Sequence, residues 1–232
     1  MLNLIFLNKC IICQKILSKN QNYFCNKCES KTLLDNICPK CSSYKELNLT
    51  NCKFCQKMNN EKIIIKAIFP YVHPYKQSIF KWKYSGIRKY GKGFAYILKE
   101  QLNLNIIDNI DGIIPVPISK ERLMERGFNQ AHDFAKYLGT SINIPIYDII
   151  KRHKNTTRQY SQDKAQRQQN TDKSMLLDIS KAKKLLPKKK TYNFIIADDI
   201  YTTGATISEC LKALNSYCEI GIIIVLVVCI VI

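Results

Sequence analysis

Phe194-Ile195-Ile196-Ala197-Asp198-Asp199-Ile200-Tyr201-Thr202-Thr203-Gly204-Ala205-Thr206 decides how this chain is read. Phe194 to Ala197 is a short apolar run suited to a buried strand. Two carboxylates follow, then a hydroxyl-rich turn. Ile207, Cys210, Leu211 and Leu214 then recur at the spacing of an amphipathic helix. The order is strand, paired acids, loop, helix. A loop that feeds a helix presents unpaired N–H groups and the positive end of the helix dipole, which together hold a phosphate. Gly204 lets the backbone approach that anion, and Thr202, Thr203 and Thr206 add hydroxyl donors. Asp198 and Asp199 would repel a phosphate. They suit neighbouring hydroxyls, as on a ribose, or a hydrated magnesium ion. One phosphate beside one diol describes a ribose 5-phosphate. A strand–turn–helix with an ordinary Ser, Thr or Asp cap accounts for any one of these pairs, but not for the whole order.

In that order the thirteen residues resemble the phosphoribosyl pyrophosphate (PRPP) motif of type I phosphoribosyltransferases. The resemblance implies that Asp198 and Asp199 bind the ribose hydroxyls, and that the Thr202-Thr203-Gly204-Ala205-Thr206 loop holds the 5-phosphate.

Upstream lies Lys151-Arg152-His153-Lys154-Asn155-Thr156-Thr157-Arg158-Gln159, polar, basic and without helix or strand periodicity. It suits a mobile loop that closes over a phosphorylated ligand; as a bare sequence it is also an ordinary solvated loop. Further back, Ile113 to Ile118 reads as a short strand entering a loop constrained by Pro115 and Pro117. Lys120, Arg122 and Arg126 follow, and Gly127-Phe128-Asn129-Gln130 opens a helix with Phe128, Ala131, Ala135 and Leu138 on one side. This is a second strand–loop–helix unit, whose cations suit the pyrophosphate of PRPP or are plain surface charge. A helical stretch is expected from Lys81 to about Gln101, strand structure within Ile142 to Ile150, and a buried strand over Ile222 to Ile232. That last run is too short for the ~20 residues that span a bilayer, so no stable membrane insertion is expected.

Between Ala67 and Tyr84 aromatic residues are dense: Tyr71, Tyr75, Phe80, Trp82 and Tyr84, with His73 among them. They serve either as packing surface or as a platform for stacked bases, packing being the simpler use. His73 is expected to be structural rather than a ligand.

The N-terminal quarter carries four Cys-x-x-Cys pairs: Cys10 and Cys13, Cys25 and Cys28, Cys38 and Cys41, Cys52 and Cys55. Two thiolates from one tight turn face a single ion, and two such turns complete a tetrahedral site. Eight thiolates therefore suit two structural Zn²⁺ ions, paired sequentially or interleaved. A segment of this size buries little core alone, and metal binding substitutes for missing apolar contacts. Redox dithiols or iron–sulfur ligation fit four evenly spaced pairs less well.

The chain has 232 residues, 46% of them hydrophobic, and a formal net charge of +18. Residues 151–190 hold thirteen Lys or Arg against three Asp, a surface that favours polyanions such as PRPP, pyrophosphate or nucleic acid; general enrichment in Lys, Asn and Ile accounts for the cluster 181–190 more simply. Leu2 to Leu7 is too short for a secretory signal, and a cytoplasmic location is expected. The expected organisation is a double zinc ribbon at 1–58, a boundary segment at 59–70 and an α/β domain at 71–232.

Taken together, the four cysteine pairs, Pro115-Val116-Pro117, Arg122, Arg126-Gly127-Phe128-Asn129-Gln130, Arg152, Thr157, Gln159, Arg167, Asn170 and the Asp198–Thr206 motif resemble the ComF family. Gln162 stands where that family usually has Leu. The resemblance implies a type I phosphoribosyltransferase fold, a parallel sheet flanked by helices, with PRPP and magnesium at the C-terminal strand ends. It implies a cytosolic part in natural competence and DNA uptake, with single-stranded DNA binding and other competence proteins as partners. As an enzyme the chain would be a pentosyl transferase: Asp198 and Asp199 would position the ribose, while Lys120, Arg122 and Arg126 would stabilise departing pyrophosphate. The alternative is a PRPP- or nucleotide-sensing module that binds single-stranded DNA without turnover. No helix-turn-helix segment marks a transcription regulator, and amidotransferase chemistry needs a second domain with an activated cysteine, whereas every early cysteine here belongs to a metal pair. No residues mark base recognition, so the acceptor is not legible.

Overall fold

The central strand of the sheet is also its most apolar stretch, Glu219–Ile230 (β6), buried without interruption from Ile223 to Ile230. A strand covered on both faces needs such a continuous run. The computed structural model describes residues 8–29, 38, 40–42, 62–102, 107–152 and 174–231. Along the chain, Asn26–Glu29 is a short helix (α1) and Ile63–Pro70 a strand (β1). Helices Tyr75–Tyr84 (α2) and Lys89–Gln101 (α3), strand Gly112–Pro115 (β2), and helices Lys120–Arg126 (α4) and Gln130–Ile142 (α5) follow. Strands Ile150–Arg152 (β3) and Met175–Leu177 (β4) form an antiparallel pair. Helix Ile179–Leu185 (α6), strand Thr191–Tyr201 (β5) and helix Ala205–Asn215 (α7) lead into β6.

The main sheet has the order β1-β6-β5-β2, and every pairing in it is parallel. Alternate residues of each strand enter opposite cores. Ile195, Ala197, Ile224, Leu226 and Val228 pack with Trp82, Phe94 and Phe134. Phe194, Ile196, Ile223, Val225 and Val227 pack with Ile207, Cys210, Leu214 and Met175. The expected α/β class, a parallel sheet flanked by helices, is what the chain adopts.

Some boundaries differ from the sequence reading. The helical stretch begins at Tyr75 and breaks at Ser85–Arg88, where Gly86 has φ +67°. Ile142 ends α5, because Asn143 takes the left-handed conformation (φ 56°) that closes it. Ile146 then bridges to Ile113 beyond the outer side of β2. Ile63–Pro70, within the segment between the two expected domains, is a strand of the sheet.

The cysteine-rich segment guards the free side of β1. The Ile65 N–H donates to the Lys40 carbonyl at 2.7 Å, and the Ser42 hydroxyl bridges the Ile65 carbonyl and the Ala67 N–H. An edge strand is thereby capped. Cys10, Ile11 and Phe24 join one core while Cys38 and Cys41 join the other, so the segment straddles the sheet edge. Gly93 on α3 makes that approach possible, since a Cβ there would overlap the Ile11 side chain and press on Tyr23. Among the described residues no helix is long and apolar enough to cross a membrane.

Candidate functional site

β5 does not stop at Ala197. Pairing with β6 carries it through Asp198 and Asp199 to Tyr201, so sheet hydrogen bonds override the poor strand propensity of aspartate. Its other neighbour stops sooner. β2 ends at Pro115 opposite Ala197, and the Val116 N–H to Ala197 carbonyl bond at 2.9 Å is the last between them. The two carboxylates therefore sit at the C-terminal strand ends, beyond the end of β2, where open α/β sheets place ligands.

Electrostatics there are unbalanced. The Asp199 N–H donates to Asp198 Oδ1 at 2.8 Å, and Lys83 Nζ of α2 lies 2.8 Å from Asp199 Oδ2, both side chains being 16% exposed. Burial, and then the charge of Asp199, push the Asp198 carboxyl up to about 8; the Asp199 N–H, Lys83 and Arg152 pull the other way without compensating. Around neutral pH Asp198 therefore retains its proton, chiefly because it is buried and secondly because Asp199 is beside it. A cation, or hydroxyl donors arriving at the pair, would restore the carboxylate.

Next along the chain, Gly204 has φ +82°, and a Cβ on it would collide with the buried Tyr201 hydroxyl. It precedes α7 directly and supplies no side-chain cap. Helix geometry leaves the Thr206 and Ile207 N–H groups without partners inside the helix, while Thr203 Oγ1 receives the Ala205 N–H at 3.4 Å. Thr202, Thr203 and Ala205 are exposed around this turn, and Thr206 is half-buried. Gly204→Ala is expected to cost stability by about 1–2 kcal/mol from the left-handed backbone alone, visible as a lower melting temperature. The same variant should weaken any phosphate ligand of the loop in calorimetry, because the turn must shift off Tyr201.

The second strand–loop–helix unit leaves β2 immediately beside the first. The Ser119 hydroxyl accepts the Arg122 N–H at 3.3 Å and so caps α4, which closes at Gly127 (φ 73°). Asn129 stitches loop to helix: its amide donates to the Val116 carbonyl at 3.0 Å, and its oxygen accepts the Ala131 N–H at 3.1 Å. Lys120 and Arg122 stand exposed on α4. Arg126 is half-buried, donating to Gln130 Oε1 at 3.0 Å and to the Tyr84 hydroxyl at 3.4 Å, with its guanidinium 5.2 Å from the Tyr84 ring centroid. Consecutive residues of α2, Lys83 and Tyr84, thus link Asp199 to Arg126. Arg152 is half-buried at the end of β3, whereas Thr157, Gln159, Gln162, Arg167 and Asn170 lie outside the described residues.

Sequence reasoning did not single out Lys83. The aromatic segment divides: Tyr75 and Trp82 are buried, but Phe80 is 62% and Tyr84 47% exposed, their rings 4.8 Å apart. A usable signal was present, because α2 carries Lys76, Lys81 and Lys83 and no acid. His73 is exposed and takes no part in the cysteine cluster.

Cys10, Cys13, Cys25 and Cys28 place their sulfurs within 4.8 Å of one another, with Cys13 and Cys25 at 3.6 Å. Disulfide bonding requires about 2.05 Å, while the edge of a tetrahedral sulfur site with ~2.3 Å bonds is close to the observed separation. Burial pushes the Cys28 thiol well above its ordinary range, a cost that a coordinated cation offsets. These four residues can hold a metal ion such as zinc, in the sequential pairing. Cys38 and Cys41 are buried in the opposite core, and Cys52 and Cys55 lie outside the described residues.

A scan against known protein-family profiles finds no match. The chain is 28% identical to Competence protein F of Haemophilus influenzae, over 89% of this chain and 90% of that one. It is 27% identical to Competence protein ComFC of Streptococcus pneumoniae, over 89% and 93%, and 24% identical to Competence protein ComFC of Bacillus subtilis, over 82% and 77%.

Proposed function

The chain belongs to the ComF family of competence-related proteins, and on that premise we propose that it binds PRPP with magnesium and acts in the handling of incoming single-stranded DNA. The observation that carries the PRPP reading is the parallel pairing of β2 and β5, which sets two strand–loop–helix exits side by side, with Asp198 and Asp199 on β5 just past the end of β2.

In this reading the loop from Thr202 to Thr206 surrounds the 5-phosphate with hydroxyls and the free N–H groups opening α7. Asp198 and Asp199 accept hydrogen bonds from the ribose hydroxyls. Lys120, Arg122 and Arg126 neutralise the pyrophosphate from the neighbouring exit. The carboxylate pair fits a hydrated magnesium ion, since two adjacent carboxyl groups offer oxygen ligands and a cation would offset the Asp199 charge that helps hold the proton on Asp198. Magnesium would supply charge neutralisation to the pyrophosphate. The four clustered sulfurs fit one structural zinc, and the remaining two pairs a second. A cytoplasmic location accords with this role.

Calorimetry of the metal-loaded protein with PRPP and Mg²⁺ tests the reading. Saturable binding is expected within the ~1 μM–1 mM span usual for substrates, and pyrophosphate release with a panel of nucleobases reports transferase turnover. No heat from PRPP or from ribose 5-phosphate overturns the reading. A second reading, a DNA-binding module without turnover, is favoured by the exposed Phe80–Tyr84 pair with the Arg126 guanidinium on it, a surface suited to stacked bases. Single-stranded DNA binding without pyrophosphate release would select it.

A further inference from the structure

Away from the paired acids, where the first cysteine knuckles meet α3 and α5, lies an open cleft of about 340 Å³. Its walls are Asn8, Asn22 and Tyr23 from the cysteine segment, Arg88, Lys89 and Lys92 from the start of α3, and Tyr137 from α5. Three cations converge there. Each is steered by an aromatic ring: Arg88 over Phe128 at 5.2 Å, Lys89 over Tyr23 at 6.0 Å, and Lys92 over Tyr137 at 5.3 Å. Lys89 Nζ also donates to Asn8 Oδ1 at 2.9 Å, and Arg88 approaches Asp133 Oδ1 at 3.5 Å.

This placement is unfavourable without a ligand. α3 has no acid in its first turn and no side-chain cap, so the cations stand at the positive end of a helix dipole, where cations cost rather than stabilise. Asp133 is the carboxylate paired there, and it serves Arg88. Three like charges around one concavity, at a helix end that itself attracts anions, are balanced when an anion occupies the space. The volume falls within the ~300–1,000 Å³ of small-ligand pockets. Tyr96, 45% exposed one turn beyond Lys92, pairs with Tyr23 at 5.9 Å and supplies an aromatic rim beside the charge.

We propose that this cleft is a second anion site, separate from the Asp198–Thr206 loop, that binds a phosphate group through Arg88, Lys89 and Lys92. The phosphate belongs either to the backbone of a single-stranded nucleic acid or to a free phosphorylated small molecule. The site does not depend on the PRPP reading, and its test is separable from it.

The test compares Lys89→Gln with Lys92→Gln against a control of equal charge loss, Lys99→Gln with Lys136→Gln, in the metal-loaded full chain. Lys99 and Lys136 are exposed and do not line the cleft. Affinity for a labelled thymidine oligonucleotide is read across a salt series, and inorganic pyrophosphate binding by calorimetry. The cleft pair should weaken the oligonucleotide at least ~10-fold and reduce its salt slope by roughly 1.4, two contacts at ~0.7 each, while the control changes affinity less than ~2-fold. Loss of pyrophosphate binding with an unchanged oligonucleotide assigns the cleft to small phosphorylated ligands and also sustains the site. Equal effects of the two pairs, or no effect on either ligand, overturn it. Asp198→Asn with Asp199→Asn, run in parallel, should leave the oligonucleotide readout intact, and the pyrophosphate loss caused by the cleft pair should persist in that background, so a failed PRPP site is told apart from a failed cleft.

Discussion

Asp198→Asn combined with Asp199→Asn is expected to weaken PRPP–Mg²⁺ binding by at least ~100-fold in calorimetry while leaving a cooperatively folded protein. Each hydrogen bond to a charged acceptor contributes about 1.5–3 kcal/mol, and the pair supplies two adjacent acceptors. The pH dependence gives an independent check. The folded Asp198 carboxyl titrates at about 8, above its ordinary value of ~3.9. Between those values the folded chain keeps a proton that the unfolded chain releases. The associated stability is fully present below ~4 and is lost as pH rises through about 8. Urea midpoints at pH 5, 7 and 9, followed through the single, fully buried Trp82, should fall more steeply for the natural protein than for the double variant. Equal slopes would remove Asp198 from this role, and undiminished PRPP affinity would remove the pair from the ligand site.

The second large effect concerns the metal. Cys25→Ser is expected to abolish metal binding at the Cys10, Cys13, Cys25 and Cys28 cluster, read as a fall in zinc per chain by elemental analysis, and to lower the melting temperature by about 6–12 °C. Cys25 belongs to the four-sulfur cluster, and the knuckles it closes contribute Ile11 and Phe24 to the core that holds Phe69, Trp82 and Phe94. The Ser78 hydroxyl of α2 also donates to the Ile11 carbonyl at 2.6 Å. Releasing the metal frees a segment whose own apolar core is too small to stay folded, and uncovers one face of the main core. A loss of ~3 kcal/mol shifts a domain of this size by several degrees at 2–4 °C per kcal/mol. An unchanged melting curve after chelation would show that the cluster does not carry the fold.

The residues of the sheet show what was legible. β5 and β6 announced themselves as apolar runs, since strands covered on both faces leave no room for polar alternation. The ends of β5 did not, because the extension through Asp198 and Asp199 depends on a neighbour, β6, that lies later in the chain. The cysteine spacing allowed sequential and interleaved pairing alike; packing of the first knuckles against α2 and α3 makes the choice, and no local pattern encodes it. Lys83 was hidden for a similar reason. Its partner Asp199 is distant in sequence, and only the crossing of α2 over the strand ends joins them. The Thr202–Thr206 loop was readable because its chemistry is contiguous, whereas Lys120 and Arg122 were readable as charges but not as to whether they face a ligand.

Strand order also bears on how the chain matures on the ribosome. β6 lies between β1 and β5 but is translated after both. Until it emerges, those two have no partner on that side, and the nascent polypeptide presents two open ladders at once. The missing piece, Ile222 to Ile230, is itself rich in β-branched residues and free of charge, the composition that self-associates when left unpaired. Synthesis of this protein therefore passes through a sticky stage that closes when β6 pairs with β1 and β5, and the yield of folded material should depend on chaperone supply at that moment.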